Sequence, residues 1–224
     1  MERLNRFVAR VIYRGEEALC HVPNSGRLRE LLIEGVKLRV RPAKTERKTA
    51  CSLLMVQYKG QWVVIDAHKT NALMLEAMTQ GCLPEFTELH DIKREITFSK
   101  SRFDFSFIKD DQVCFLEVKC STLVEEDSVA RFPDAPTSRG TKHVLELIKA
   151  YQAGFGAYVV FVVQNPHALS FSPNHRMDKA FCHALSEARI QGVEVLAYLC
   201  RTDKDSITIE KRIAIDFESG VEYS

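Results

Sequence analysis

The segment Ser101-Arg-Phe-Asp-Phe-Ser-Phe alternates polar and aromatic residues without a break, a series that suits an extended strand. Phe103, Phe105 and Phe107 then face one way and Arg102, Asp104 and Ser106 the other. A second strand follows in Phe115-Leu-Glu-Val-Lys, where Glu117 and Lys119 share a face. Lys109-Asp-Asp-Gln between them reads as a hairpin turn, and closure at Asp110-Asp111 sets Asp104 opposite Glu117. Their Cβ atoms would lie about 5 Å apart. Two carboxylates so placed repel and need compensation. A divalent cation supplies it, since Mg²⁺ takes one or two carboxylates, several waters and phosphate oxygens. The expected cofactor is therefore Mg²⁺ or Mn²⁺, held by Asp104 and Glu117 with the Val118 carbonyl placed to complete the site. Lys119 would orient or activate a water, or stabilise charge developing on a phosphate.

The hairpin sits in the second of two differently patterned regions. Up to about Asp66 the signals are short and strand-like: Arg6–Tyr13, Ala18–Val22, Val36–Arg41, Ala50–Val56 and Trp62–Asp66, separated by Arg14-Gly, Pro23-Asn-Ser-Gly, Pro42 and Lys59-Gly. This suits a small OB-like barrel, and an SH3-like barrel would look the same. Thr70-Asn71 then opens a helix through Leu73, Met74, Ala77 and Met78, stopped by Gly81. Beyond it come strands at Arg94–Ser99, Arg102–Ile108, Val113–Cys120, Ala157–Gln164 and Val193–Cys200, and helices at Thr141–Ala153 and Met177–Gln191. The predicted fold is mixed α/β, with a barrel over 1–68 and an αβββαβ domain over 69–224. The tail after Asp216 reads as frayed.

A chain of 224 residues, 46% hydrophobic, can bury a core in one large domain or two modest ones. The longest apolar run, Tyr158–Val163, falls far short of the roughly 18 residues of a membrane helix. No apolar segment follows Met1-Glu-Arg-Leu-Asn-Arg-Phe, so no signal peptide is expected. Seven cysteines without a Cys-x-x-Cys pair read as reduced, mostly buried thiols of a cytoplasmic protein. His175 and His183 have no cysteine pair beside them, so no zinc site is expected. The overall charge of +1 hides an asymmetry: residues 1–48 carry twelve Lys/Arg against six Asp/Glu, leaving the other 176 at −5. A basic front module suits nucleic acid, although a solvated surface has the same composition.

Asp104 followed by Glu117-x-Lys119 on consecutive strands before a helix is the pattern of the PD-(D/E)xK nuclease core. Longer motifs resemble the sugar fermentation stimulation protein A (SfsA) family over nearly the whole chain. They are His21-Val-Pro-Asn-Ser-Gly-Arg-Leu-Arg-Glu-Leu-Leu, Asn71-Ala-Leu-Met-Leu-Glu-Ala, Ser101-Arg-Phe-Asp-Phe and Leu116-Glu-Val-Lys-Cys-Ser-Thr. Phe132-Pro-Asp-Ala-Pro-Thr-Ser-Arg-Gly-Thr-Lys-His and Gly192-Val-Glu-Val-Leu-Ala-Tyr continue the match. The resemblance implies an OB-like barrel, a restriction-endonuclease-like domain, non-specific DNA binding and a regulatory link to maltose utilisation. Glu76 stands where many nucleases of this class keep an extra metal-side acid, against the plain alternative of a polar helix position.

Further binding candidates come from the residues themselves. Lys37, Arg39 and Arg41 share one strand face, so Arg39 and Arg41 are expected to face DNA. Asn24 and Arg27, in the Pro23-Asn-Ser-Gly loop, would grip a phosphate, unless the loop is an ordinary tight turn. Arg131 and Arg139 lie on a long loop, Val124–Gly140, and are read as phosphate contacts. Lys142 and His143, with Glu146, fall on the helix face opposite Val144, Leu147 and Ile148, lining the cleft or simply solvated. Glu95 would extend the carboxylate row across a turn at Ser99-Lys100. The expected function is non-specific DNA binding with metal-dependent phosphodiester hydrolysis; the alternative is a non-catalytic DNA-binding regulator linked to sugar (maltose) metabolism. Oligomeric state is left open.

Overall fold

A computed structural model describes residues 1–203 and 205–218. The first region forms six strands, β1 (Glu2–Asn5), β2 (Val8–Tyr13), β3 (Glu16–His21), β4 (Leu38–Pro42), β5 (Cys51–Tyr58) and β6 (Gln61–Val64). The single strand expected over Arg6–Tyr13 starts at Val8, and β1 precedes it as its antiparallel partner. Arg14 and Gly15 both adopt positive φ, which closes the β2–β3 hairpin with the twist that two-residue turns favour. The sheet order is β1-β2-β3-β5-β4, with β6 also on β5. β5 meets β3 through Cys51 and Ser52 and β6 through Met55–Tyr58, and this change of partner curls the sheet. Ala9, Val11, Cys20, Leu53, Val56 and Val63 fill its interior, joined by Leu28 and Leu31 from the β3–β4 connection.

The second region comprises α1 (Thr70–Thr79), β7 (His90–Phe98), β8 (Ser101–Lys109), β9 (Gln112–Ser121), β10 (Val129–Phe132) and α2 (Ser138–Gln152). It continues with β11 (Gly156–Val163), β12 (Ser170–Pro173), α3 (Lys179–Gln191), β13 (Glu194–Thr202), β14 (Ile207–Arg212) and β15 (Ala214–Ile215). Six strands form the central sheet in the order β14-β13-β11-β9-β8-β7. β9, β11 and β13 run parallel, and their apolar stretches are buried between two helical layers. Met74, Ala77 and Met78 of α1 pack one face against Phe105, Phe107, Leu116 and Val118. Val144 and Leu147 of α2, with Phe181 and Leu185 of α3, cover the other against Val159 and Phe161. Thr137 caps α2 by accepting from the Gly140 amide, and Asp178 caps α3 by accepting from that of Phe181.

The segment Val124–Gly140 is not the long loop expected. It holds β10, which pairs parallel with β12 in a small sheet completed by β15, and α2 begins at Ser138. Thr137 starts the helix early because its hydroxyl satisfies an amide that would otherwise lack a partner. The tail after Asp216 is not frayed at its start, since Phe217 packs against the α2–α3 layer with Arg189 over its ring; residues beyond 218 lie outside the described residues.

Candidate nuclease-like site

Asp110 and Asp111 both take positive φ, closing the β8–β9 hairpin at the expected place. The pairing then runs from Lys109↔Gln112 to Phe105↔Leu116. It stops one pair short of Asp104 and Glu117, while Ser101–Phe103 stay paired to β7. The two strands part at Asp104, and the side chain closes the gap: Oδ2 accepts from the Val118 amide at 2.8 Å. Oδ1 accepts from Nδ2 of Asn71 on α1 at 2.7 Å. The parting also corrects the predicted alternation. Phe103 packs with Phe98 and Phe115 in the α2–α3 layer, whereas Phe105 and Phe107 belong to the α1 layer.

Glu117 is 3% exposed, on the α2 side of β9. Its Oε1 accepts from Lys119 Nζ and from His143 Nδ1. Arg139 Nε approaches His143 Nε2 at 3.4 Å. An arginine nitrogen only donates, so Nε2 must accept and Nδ1 carries the proton that meets Glu117. His143 and Glu146 are thus buried rather than solvated, and His143 is a positioning partner of Glu117. Glu117 Oε2 is buried with no hydrogen-bond partner.

The two carboxyls are tuned in opposite directions. Burial, then the charge of Glu117, push Asp104 above its ordinary range, against the Val118 amide, Asn71 and Lys119. Burial also works to raise Glu117, but the His143 hydrogen bond and Lys119 outweigh it and hold the carboxyl below the usual range. Among the described residues no three His, Cys, Asp or Glu side chains gather around one point as ligands. Two carboxylates, one with a partnerless oxygen, suit a hard cation that keeps waters or takes phosphate oxygens.

Other predicted residues lie elsewhere or are otherwise engaged. Glu76 is exposed and bonded to Gln80 at 3.3 Å; the α1 residue that meets Asp104 is Asn71. Glu95 turns to Arg102, 2.7 Å away, and does not join the carboxylate row. Arg131 is a buried structural cation, paired with Glu125 at 2.6 Å and Asp127 at 2.7 Å. Asn24 is buried, accepting from the Gly26 amide at 2.8 Å and donating to the Ile65 carbonyl at 3.0 Å, so the tight-turn alternative holds. A register shift between Arg39 and Val40 breaks the expected basic face. Arg39 lies 4.4 Å over the Trp62 ring and 3.9 Å from Asp205, while Arg41 is exposed. Lys142 is exposed and donates to the Lys100 carbonyl at 2.8 Å. The Arg27 amide donates to Asp134 across the domain junction at 2.7 Å, leaving its side chain exposed. Sequence reasoning took Asn71 only as a helix opening; its place in a motif beside the Asp104 strand was the available signal.

An OB domain fused to a mixed α/β sheet that splays at an acidic pair defines the class. The family model described as "SfsA N-terminal OB domain" matches residues 1–65, and "Sugar fermentation stimulation protein RE domain" matches 68–206. The chain belongs to the sugar fermentation stimulation protein family. A homologue from Acetivibrio thermocellus is 45% identical over 92% of this chain and 88% of its own. One from Alkaliphilus metalliredigens is 40% identical over 96% and 93%. A solved structure, "The structure of Pyrococcus Furiosus SfsA in complex with Ca2+", superposes with a TM-score of 0.87 at 29% identity, covering 96% of this chain and 93% of that one. Among the described residues no helix is long and apolar enough to cross a membrane.

Proposed function

We propose that the protein binds DNA and, with a divalent cation at Asp104 and Glu117, hydrolyses phosphodiesters. The observation that carries this reading is Glu117 Oε2, a buried carboxylate oxygen aimed at no donor. Such an atom is costly unless something absent from the polypeptide takes it. The Pyrococcus relative was solved in complex with Ca²⁺, which supports a hard-cation site in this architecture. A bound Mg²⁺ or Mn²⁺ would neutralise the acidic pair and polarise a phosphate oxygen. The chain supplies the rest. Asn71 and the Val118 amide orient Asp104, His143 fixes Glu117, and the Val118 carbonyl, on the residue whose amide meets Asp104, would be the further ligand. Lys119, only 13% exposed, offers a compact ammonium to phosphate oxygens or to an attacking water.

The test is calorimetric titration with Mn²⁺ followed by incubation with duplex and single-stranded DNA, comparing wild type, Asp104→Ala and Lys119→Ala. Metal uptake lost in Asp104→Ala, and cleavage lost in both variants while Lys119→Ala still takes up metal, is the expected pattern. Absence of metal uptake at millimolar concentration with DNA binding intact would refute the catalytic reading. It would leave a DNA-binding regulator, the role in sugar metabolism that the relatives' name suggests.

A further inference from the structure

A cleft of about 600 Å³ opens where the OB domain meets the second domain, bounded by Arg3, Arg6, Arg27 and Arg29 on one side and Ala135 and Pro136 on the other. The four arginines are not equivalent. The Arg3 guanidinium is fixed by main-chain carbonyls: those of Arg27 at 2.5 Å, Arg6 at 2.6 Å and Asn24 at 3.1 Å. It therefore acts as a cross-brace for the β3–β4 connection, and Asp134 and Glu30 lie close enough to compensate its charge. Arg6, Arg27 and Arg29 are exposed, and among the described residues their side chains have neither an ion pair nor a hydrogen bond. Arg6 is also close enough to Arg3 to disfavour its charge. Three uncompensated guanidiniums around a concave surface make an anion site.

We infer that this cleft binds the sugar–phosphate backbone of a nucleic-acid strand without reading its bases, and leads that strand toward the Glu117–Lys119 end of the sheet. Guanidinium groups match phosphate oxygens in a fork geometry. No aromatic ring lines the cleft, so stacking contributes nothing and binding is independent of sequence. Direction comes from α2. Pro136 immediately precedes the Thr137 cap, and His143 lies about 8 Å along the helix from its first residue. Arg139, one turn before His143, joins the rim to the residue that holds Glu117. The inference rests on the proposed function for its destination, but the cleft is tested by binding alone.

The experiment measures fluorescence anisotropy with a labelled 20-base-pair duplex in EDTA over a salt series, using the full chain. The Arg6→Glu/Arg27→Glu/Arg29→Glu variant keeps the main-chain contacts of the loop, and an unchanged melting temperature verifies its fold. Its affinity should fall by more than about tenfold, and its salt slope by about 0.9 per lost phosphate contact, roughly two to three units. Two unrelated sequences and an abasic strand of equal phosphate number should each lose affinity alike. An unchanged slope, or a comparable loss confined to Arg41→Glu, overturns the assignment of the surface. An abasic strand that binds more than about tenfold more weakly than its intact counterpart overturns backbone-only recognition. Inorganic polyphosphate outcompeting DNA of equal charge overturns the nucleic-acid ligand. Mn²⁺ uptake by the triple variant, measured separately, distinguishes failure of the cleft from failure of the metal reading.

Discussion

Asp104→Asn isolates the charge of the acidic pair from its shape. Asparagine retains one carbonyl oxygen for the Val118 amide, and its NH₂ can donate to Asn71 once that amide is turned over. Both contacts survive, and what is lost is a partly buried charge facing Glu117. Two like charges about 5–8 Å apart interact by roughly 2–3 kcal/mol at an effective dielectric of 20, which bounds what Glu117 does to Asp104. Lys119 offsets part of this, so the metal-free variant should be more stable than wild type by about 1 kcal/mol. For a chain of this size that is about 2–4 °C in melting temperature. Because folding raises the Asp104 pKa, the protonated carboxyl favours the folded state below the unfolded value near ~4. That contribution is lost as pH rises through the folded value. The advantage of Asp104→Asn should therefore be absent in acid and full at neutral pH. Added Mn²⁺ should reverse the order, raising wild type by about 2.7 kcal/mol at 100-fold saturation and leaving the variant unmoved. Scanning calorimetry at two pH values, with and without Mn²⁺, reads all four quantities. A metal-free variant less stable than wild type by more than about 1 kcal/mol, or an equal metal response in both, would refute the reasoning.

Glu117→Gln should destabilise by about 2 kcal/mol at neutral pH, because the half-buried Lys119 ammonium then loses its hydrogen-bonded counter-charge and keeps only Asp104 nearby. Since folding lowers the Glu117 pKa, that loss should shrink as pH falls through the folded value, which acid unfolding curves measure. Gly26→Ala would put a Cβ 2.2 Å from Asp134 Oδ2. The loop must shift and weaken the Arg27–Asp134 bond, costing about 2 kcal/mol in urea unfolding and also reducing DNA affinity. Arg131→Ala should destabilise by about 3 kcal/mol while leaving the salt slope of DNA binding unchanged, as a structural cation requires.

The sequence was most readable where local chemistry is self-sufficient. The hairpin turn at Asp110-Asp111 and the register beyond it follow from two turn formers between alternating strands, and the α3 boundary at Gly192 follows from its positive φ. The parting of β8 and β9 was hidden, because it depends on an aspartate side chain replacing a ladder contact, which alternation cannot signal. Strands β10, β12 and β15 were missed because each is two to four residues long and exists only against the others. Arg131 was misplaced, and the surroundings of Arg39 went unforeseen, for one reason. A basic residue looks solvent-facing until its partners arrive, here from Glu125, Asp127 and Trp62. Glu76 and Asn71 share one helix, and only tertiary placement decides which of them meets Asp104.

The same parting of strands divides the site between two units of different resistance to opening. Glu117, Val118 and Lys119 ride on β9, next to β11 in the middle of the sheet, where amide hydrogens should exchange only when much of the domain unfolds. Ser101–Phe103 lack a ladder on the β9 side and pair with β7, an edge strand with mostly exposed side chains, while Asp104 reaches β9 only through its side chain. Opening of the β7–β8 end alone would carry Asp104 away while Glu117 and Lys119 stay in place. Amides of residues 101–104 should exchange faster than those of 105–108, and cation binding should slow the first group selectively. One carboxylate of the pair is thus a fixed wall, and the other is carried by the hinged end of a strand.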